Sequence, residues 1–427
     1  MNFSRLLPLL ILAALAPGSR AFVEIRHVIA ISVDGLRGDF LQGFVNTTPA
    51  EFPNFIRLRE MSAFTYNARC DFAYSETVPN HLAMVTGRPV LQPGGQPAAA
   101  FTGFTNNFPT ATDTVHVYAA ASGTNSGSYK AGIFDVAHDR GLSTALYLGK
   151  TRLEIVRRSF NAANGAPDVT GPDNGRNKID FAQVQDGGTN TLIATLVAHI
   201  ASSLERFTLL HITDPDTAGH SSGWTTTIGG GYRNSILTVD GYVGAILNAL
   251  AANPALAGRV AVLLTGDHGG GGLAAAPNAH TDATQPGNYT IPFYLFAPGV
   301  AGGSDLHALF ENRVNPGTTR PTFLDAAQPV HNADIANLSA ALLGLPSVPG
   351  SFLPPELLKP VQITRNENGV GVTWPAYLTG WALEFSDNLD RVGWHLVSPA
   401  LTDATGHHVH TVTGPVPENR FFRLRRP

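Results

Sequence analysis

A single cysteine stands in 427 residues, so no internal disulfide can form and stability must come from a buried core. Cys70 itself reads as a small buried hydrophobe rather than a reactive thiol. Charge is scarce too: charged residues make up 14% and the net charge is -4. That balance gives no reason to expect nucleic acid as a bulk electrostatic partner, and no nucleic-acid-binding surface is evident. Beyond the N-terminus no run approaches the roughly 18 apolar residues that a membrane-spanning helix needs. What is present is 43% hydrophobic residues, 44 Gly and 30 Pro. That is the composition of a loop-rich globular chain, long enough for a large core and an accessory module.

The N-terminus reads as an export signal over residues 1–21. Arg5 supplies the positive region, Leu6 to Ala16 the apolar region broken by Pro8, and Ser19 and Ala21 the small residues before a cut. The expectation is a secreted or periplasmic protein with no transmembrane segment after signal removal.

Short apolar runs alternate with helical patterns through the next three hundred residues. His27 to Val33, Thr144 to Leu148, Phe207 to Ile212, Arg259 to Leu264 and Tyr289 to Phe296 read as strands. Pro53 to Met61, Pro79 to Thr86, Ile133 to Arg140, Thr191 to Ser203, Tyr232 to Ala252 and Ile335 to Leu345 read as helices. The fold class is therefore α/β, a mainly parallel sheet covered by helices on both faces. Catalytic residues are expected within 22–345. Prolines then mark a linker over 346–360. Short runs separated by Gly, Asn and Asp turns predict a small antiparallel, β-sandwich-like module over 361–427. Its tryptophans read as core, and the module is expected either to contact a surface or glycan or simply to stabilise the enzyme.

In such sheets ligands gather outside the carboxyl ends of the strands. Asp34-Gly35 ends the first strand, and Asp267-His268-Gly269 ends a later one. Asp214-Pro215-Asp216-Thr217-Ala218-Gly219-His220 follows another and reads as a turn carrying an acid and an imidazole four apart. His280 follows the glycine-rich stretch and can close a site. Carboxylates and imidazoles suit zinc and similar divalent ions. A pair of ions can clamp the oxygens of an in-line displacement at phosphorus, and can lower the pKa of a hydroxyl between them. Thr77, in Ser75-Glu76-Thr77-Val78-Pro79-Asn80-His81, is that hydroxyl.

Taken together, Asp34-Gly35, Thr77-Val78-Pro79-Asn80-His81, Val85-Thr86-Gly87, Pro215-Asp216 with Gly219-His220, and Asp267-His268-Gly269 resemble the type I phosphodiesterase/nucleotide pyrophosphatase family. That family lies in the alkaline phosphatase superfamily, and the resemblance runs in order from His27 to Leu345. It implies an alkaline phosphatase-like fold with two divalent metal ions, expected to be Zn2+. Asp34, Thr77, Asp267 and His268 would surround one ion, and Asp216, His220 and His280 the other. It also implies a phosphothreonine intermediate on Thr77 and a phosphate-binding asparagine, best matched by Asn107. The substrate implied is a small phosphate ester or nucleotide. Two departures stand out: Thr102 precedes Gly103 where a histidine is usual, and Gly270 follows Gly269 where methionine is common.

Lys150 and Arg152 follow a strand and resemble the Lys-x-Arg pair of some monoesterase members of the superfamily. They supply the alternative reading, a phosphomonoesterase in which both cations bind the terminal phosphate. A sulfatase would need a modifiable Cys or Ser followed by Pro and Arg, and Cys70-Asp71-Phe72-Ala73-Tyr74 lacks it. A non-catalytic binding protein is the remaining reading. Asp240 is read as a structural hydrogen-bonding group and His81 as an orienting or packing residue.

Overall fold

The computed structural model describes residues 25–117, 127–168, 175–352, 354–357, 362–366, 369–375, 382–387, 393–397, 401–402, 407–412 and 420–425. The expected export signal lies outside them. Eight strands form one sheet: β1 His27–Val33, β2 Ala63–Arg69, β3 Thr144–Leu148, β4 Phe181–Val184, β5 Phe207–Ile212, β6 Val260–Gly266, β7 Thr290–Phe296 and β8 Ser304–Asp305. Their order is β4-β3-β5-β1-β6-β7-β2-β8. From β4 to β6 all neighbours run parallel, and only β7 runs against the rest.

The helices are α1 Gly38–Thr47, α2 Pro53–Met61, α3 Thr77–Thr86, α4 Ile133–His138, α5 Glu154–Ser159, α6 Thr189–Ser202, α7 Asp214–Ser222, α8 Gly231–Ala252, α9 Pro286–Tyr289 and α10 Asp334–Leu342. Strands β3, β5 and β6 are buried along their whole length, and largely apolar, because both faces are covered. Along β1, Val28 and Ala30 pack with Val78 and Leu82 of α3, Phe134 of α4 and Ile335 of α10. Ile29, Ile31 and Val33 point the other way, into a core with Phe44 of α1, Phe55 of α2, Leu192 of α6 and Val243 of α8. The period of two along a strand thus divides one run between two cores.

Helix α8 carries an apolar stretch of mean hydropathy 1.4, long enough by composition to cross a membrane. Here it packs against α2, α6 and α7. Its Asp240, 3% exposed, accepts hydrogen bonds from the backbone N–H groups of Asn54 (3.1 Å) and Phe55 (2.7 Å). One helix therefore caps the start of another, the structural use expected for this residue.

Several boundaries differ from the sequence expectation. Helix α3 begins at Thr77, two residues before Pro79. The segment read as a turn after β5 is the helix α7, with Pro215 in its first turn where a missing N–H costs nothing. Strands β2, β4 and β8 and helix α1 lacked a clear period and were not expected.

Residues after α10 do not hang free. Val348 is 2% exposed, its N–H donates to Asn337 Oδ1, and the Phe352 N–H donates to the Gly87 carbonyl. Arg88, 2% exposed, donates to the carbonyls of Thr86, Ala99, Ala131 and Pro349. The following strands, β9 Gln362–Asn366 to β15 Phe421–Arg425, form two antiparallel sheets of four and three strands. Trp374 is 2% exposed, the core role expected for it.

Candidate active site

Strands β3, β5, β1 and β6 are neighbours, so the residues just beyond their carboxyl ends share one region. That brings Asp34, Lys150, Asp216 and Asp267 together from four distant parts of the chain. Gly35 turns the chain sharply (φ 71°), and a side chain there would crowd the Asp216 backbone. The Asp216 N–H donates to the Asp34 carbonyl at 3.0 Å.

Two clusters result. In the first, single ligand atoms of Asp34, Asp267 and His268 lie within 4.8 Å of one another, and all three residues are buried. His268 Nε2 is 3.4 Å from Asp34 Oδ1 and 3.5 Å from Asp267 Oδ2. The second cluster is Asp216, His220 and His280, again within 4.8 Å. Asp216 and His220 are four apart on α7 and so share a helix face; their Oδ1 and Nε2 atoms are 3.4 Å apart. Thr77 Oγ1 lies 3.5 Å from Asp34 Oδ2 and 3.4 Å from His268 Nε2.

Hydrogen bonds settle which imidazole nitrogen faces inward. Nδ1 of His220, His268 and His280 donates to the carbonyls of Asn278 (3.0 Å), Gly269 (2.7 Å) and Ser75 (2.5 Å). Burial, opposed by the nearby carboxylates, keeps His268 below its ordinary pKa; burial and the neighbouring His268 bring His280 down to about 2. Both rings are therefore neutral and present a lone pair at Nε2. His280 Nε2 faces His220 Nε2 at 3.2 Å.

The carboxylates tell the same story. Asp34 Oδ1, Asp216 Oδ1 and Asp267 Oδ2 are buried without a hydrogen-bond partner among the described residues. Burial, reinforced by the charges of Asp34 and Asp216, pushes the Asp267 carboxyl well above its ordinary range. Burial also opposes ionisation of Asp34, but the Lys150 cation and a His211 hydrogen bond hold it well below that range. Orphaned oxygens facing imidazole lone pairs lack a positive centre on each side. The donor set of carboxylate oxygen and imidazole nitrogen fits two divalent cations.

The remaining residues singled out from sequence are placed as follows. Asn107 Oδ1 accepts the Val78 N–H at 2.9 Å, which fixes its amide orientation and seats it against the first turn of α3. Lys150 is already engaged, with Nζ 2.6 Å from Asp34 Oδ2 and 2.5 Å from Asp216 Oδ2. Arg152 lies over the Phe108 ring, 4.9 Å from its centroid, and its charge reaches Glu76. His81 donates from Nδ1 to the Thr77 carbonyl at 2.7 Å, an orienting contact within α3.

Three further residues shape the site and were not read from sequence. His211 has the opposite tautomer: Nδ1 accepts the Gly149 N–H, and Nε2 donates to Asp34 Oδ2 at 3.1 Å. A histidine inside the otherwise apolar run of β5 was the available signal. Ser75 clasps His280 from both sides, donating from Oγ to the His280 carbonyl and accepting the His280 Nδ1 proton at its own. Trp224 stands edge-on to His220 and His280, at 5.3 and 5.8 Å between ring centres, and donates from Nε1 to the Gly35 carbonyl at 2.9 Å. A side chain at Gly219 or Gly270 would overlap its indole. The unusual Gly270 thus has a steric reason.

The family model described as type I phosphodiesterase/nucleotide pyrophosphatase matches residues 99–291. That stretch holds Asn107, Asp216, His220, Asp267, His268 and His280, and begins after Asp34 and Thr77. A comparison with curated proteins found no match. Among solved structures, murine ectonucleotide pyrophosphatase/phosphodiesterase 5 is 13% identical, over 76% of this chain and 96% of that one, with a TM-score of 0.47. A protein in the alkaline phosphatase superfamily from Vibrio parahaemolyticus is 12% identical, over 83% and 76%, with a TM-score of 0.48. A 2-O GAG sulfatase is 11% identical, over 91% and 85%, with a TM-score of 0.48. The type I phosphodiesterase/nucleotide pyrophosphatase family is thus what residues 99–291 of this chain match.

Proposed function

We propose that this protein hydrolyses phosphoric diesters or nucleotide pyrophosphates through a phosphothreonine intermediate on Thr77. The observation that carries the proposal is the position of Thr77 Oγ1, within 3.5 Å of both Asp34 Oδ2 and His268 Nε2 at the start of α3. Asp34, Asp267 and His268, with Thr77, would hold one divalent ion; Asp216, His220 and His280 would hold the other; zinc suits this donor set. When bound, the ions supply positive charge that favours the ionised hydroxyl and takes up charge developing on phosphate oxygens.

The chain's own groups do the rest. Thr77 Oγ1 forms the bond to phosphorus while the ester oxygen leaves with its pair of electrons; water then cleaves the phosphothreonine. Asn107, anchored through Oδ1, offers its amide N–H donors to a phosphate oxygen. His211 holds Asp34 by its Oδ2, and Ser75 holds His280 by its Nδ1, so neither ligand must reorganise during reaction. The export signal read in residues 1–21 supports action outside the cytoplasm, and the C-terminal module is proposed to contact a surface or glycan.

A second reading, phosphomonoesterase, is favoured by Arg152, which has no carboxylate partner in hydrogen-bond reach among the described residues. It would match the extra charge of a terminal phosphate.

The test compares bis-p-nitrophenyl phosphate with p-nitrophenyl phosphate on the metal-loaded protein. Thr77→Ala should lower kcat on the diester by about a thousandfold or more while retaining bound metal. Full activity in Thr77→Ala overturns the covalent route. A strong monoester preference that collapses in Arg152→Ala decides for the second reading.

A further inference from the structure

We propose that Lys150 is the internal counter-ion of the metal-free site, stabilising the empty centre and holding down its affinity for metal. The inference rests on the two-cation reading above. Lys150 Nζ lies 2.6 Å from Asp34 Oδ2 and 2.5 Å from Asp216 Oδ2, and the residue is 8% exposed. Those acids belong to different ligand clusters, so one ammonium spans both.

The division of oxygens is regular. On each acid Oδ2 faces the lysine, while Oδ1 faces the imidazoles and has no hydrogen-bond partner among the described residues. The other groups at Asp34 Oδ2 are His211 Nε2 at 3.1 Å and Thr77 Oγ1 at 3.5 Å. Two buried carboxylates, Asp34 and Asp216, thus share one fixed positive charge.

Without metal, removing that charge leaves the carboxylates uncompensated in a poorly solvated place, a costly change. With metal, the same ammonium is a like charge across each shared carboxylate from the bound ion, and weakens its attraction. Lys150 therefore biases the chain toward a folded, metal-free form that can later accept its ions. The backbone supports this placement: a side chain at Gly149 would crowd Thr213 and His211, so β3 can approach β5 closely enough for the lysine to reach both acids.

The experiment uses the full chain stripped with a chelator, as wild type, K150M and K150R. Thermal unfolding is followed without metal, and Zn2+ affinity is measured by competition with a chromophoric chelator. K150M should lower the metal-free Tm by about 5 °C or more. It should bind Zn2+ about tenfold tighter or more, because one repulsive charge is gone. K150R should stay near wild type on both counts. If K150M does not fold without metal, added Zn2+ must restore its fold; failure to restore overturns the proposal. An unchanged metal-free Tm, or weaker Zn2+ binding, also overturns it. Wild type that binds no divalent ion at all would instead sink the two-cation reading beneath it.

Discussion

Trp224 shows how a residue without reactive chemistry can govern a reactive site. Its ring lies against Gly219 and Gly270, its Nε1 holds the Gly35 carbonyl, and its edge faces His220 and His280. All five contacts touch segments that carry a candidate ligand. Gly270→Ala should therefore destabilise the protein by about 1–3 kcal/mol through overpacking. Urea unfolding measures this, and an unchanged midpoint would count against the role given to Trp224. Sequence reading found the acids and imidazoles because their types declare their chemistry. It did not find Ser75, His211 or Trp224, whose contribution is only to hold other residues. Serine two before a threonine, or tryptophan after a glycine, has no meaning until the chain is folded.

At the scale of elements, what counts is how helix starts meet strand ends. The α7 segment was read as a turn because Pro and Gly interrupt it. In fact Pro215 falls in the first turn, and Gly219 faces the indole. The helical spacing then sets Asp216 and His220 on one face, a relation a turn would not guarantee. Strand runs such as His27–Val33 and Phe207–Ile212 were legible to the residue, since both faces are buried and apolar residues outnumber the few polar ones. Strand β2, Ala63–Arg69, was not legible, because Thr, Asn and Arg break its pattern. Helix α2 owes its start to Asp240 across the interface rather than to a residue of its own. Asp240→Ala should cost about 1–3 kcal/mol, the penalty for leaving buried N–H donors at Asn54 and Phe55 unpaired. The check is a chemical-denaturation curve; Asp240→Asn, which keeps one acceptor, should lose less.

Across the whole molecule, buried imidazoles set the response to acid. Burial lowers the pKa of His81, His211, His268 and His280 below 6.5 in the folded chain. The unfolded chain binds those protons near pH 6.5, whereas the folded chain refuses them, so stability is present above that pH and is lost as pH falls. Asp267, Asp71, Asp135 and Asp139, raised by burial, act in the opposite sense, while His116 and His331, each brought down to about 4 by burial, add to the imidazole side. The chelated protein should thus be less stable at pH 5.5 than at pH 7.5, by up to about 1.4 kcal/mol for each imidazole kept neutral one unit below its ordinary pKa. Equal urea midpoints at the two pH values would refute this. The large division of the chain was legible from composition, since prolines mark the passage between two textures. Composition does not report what the passage touches. Arg88 places one of its donors on the Pro349 carbonyl, and Phe352 answers Gly87 at the end of α3. Anyone wishing to express the catalytic part alone should therefore not cut after Leu345. A polypeptide ending there would leave a buried guanidinium short of an acceptor behind α3, and the shortest self-sufficient fragment runs at least to Leu357, which pairs with Phe310.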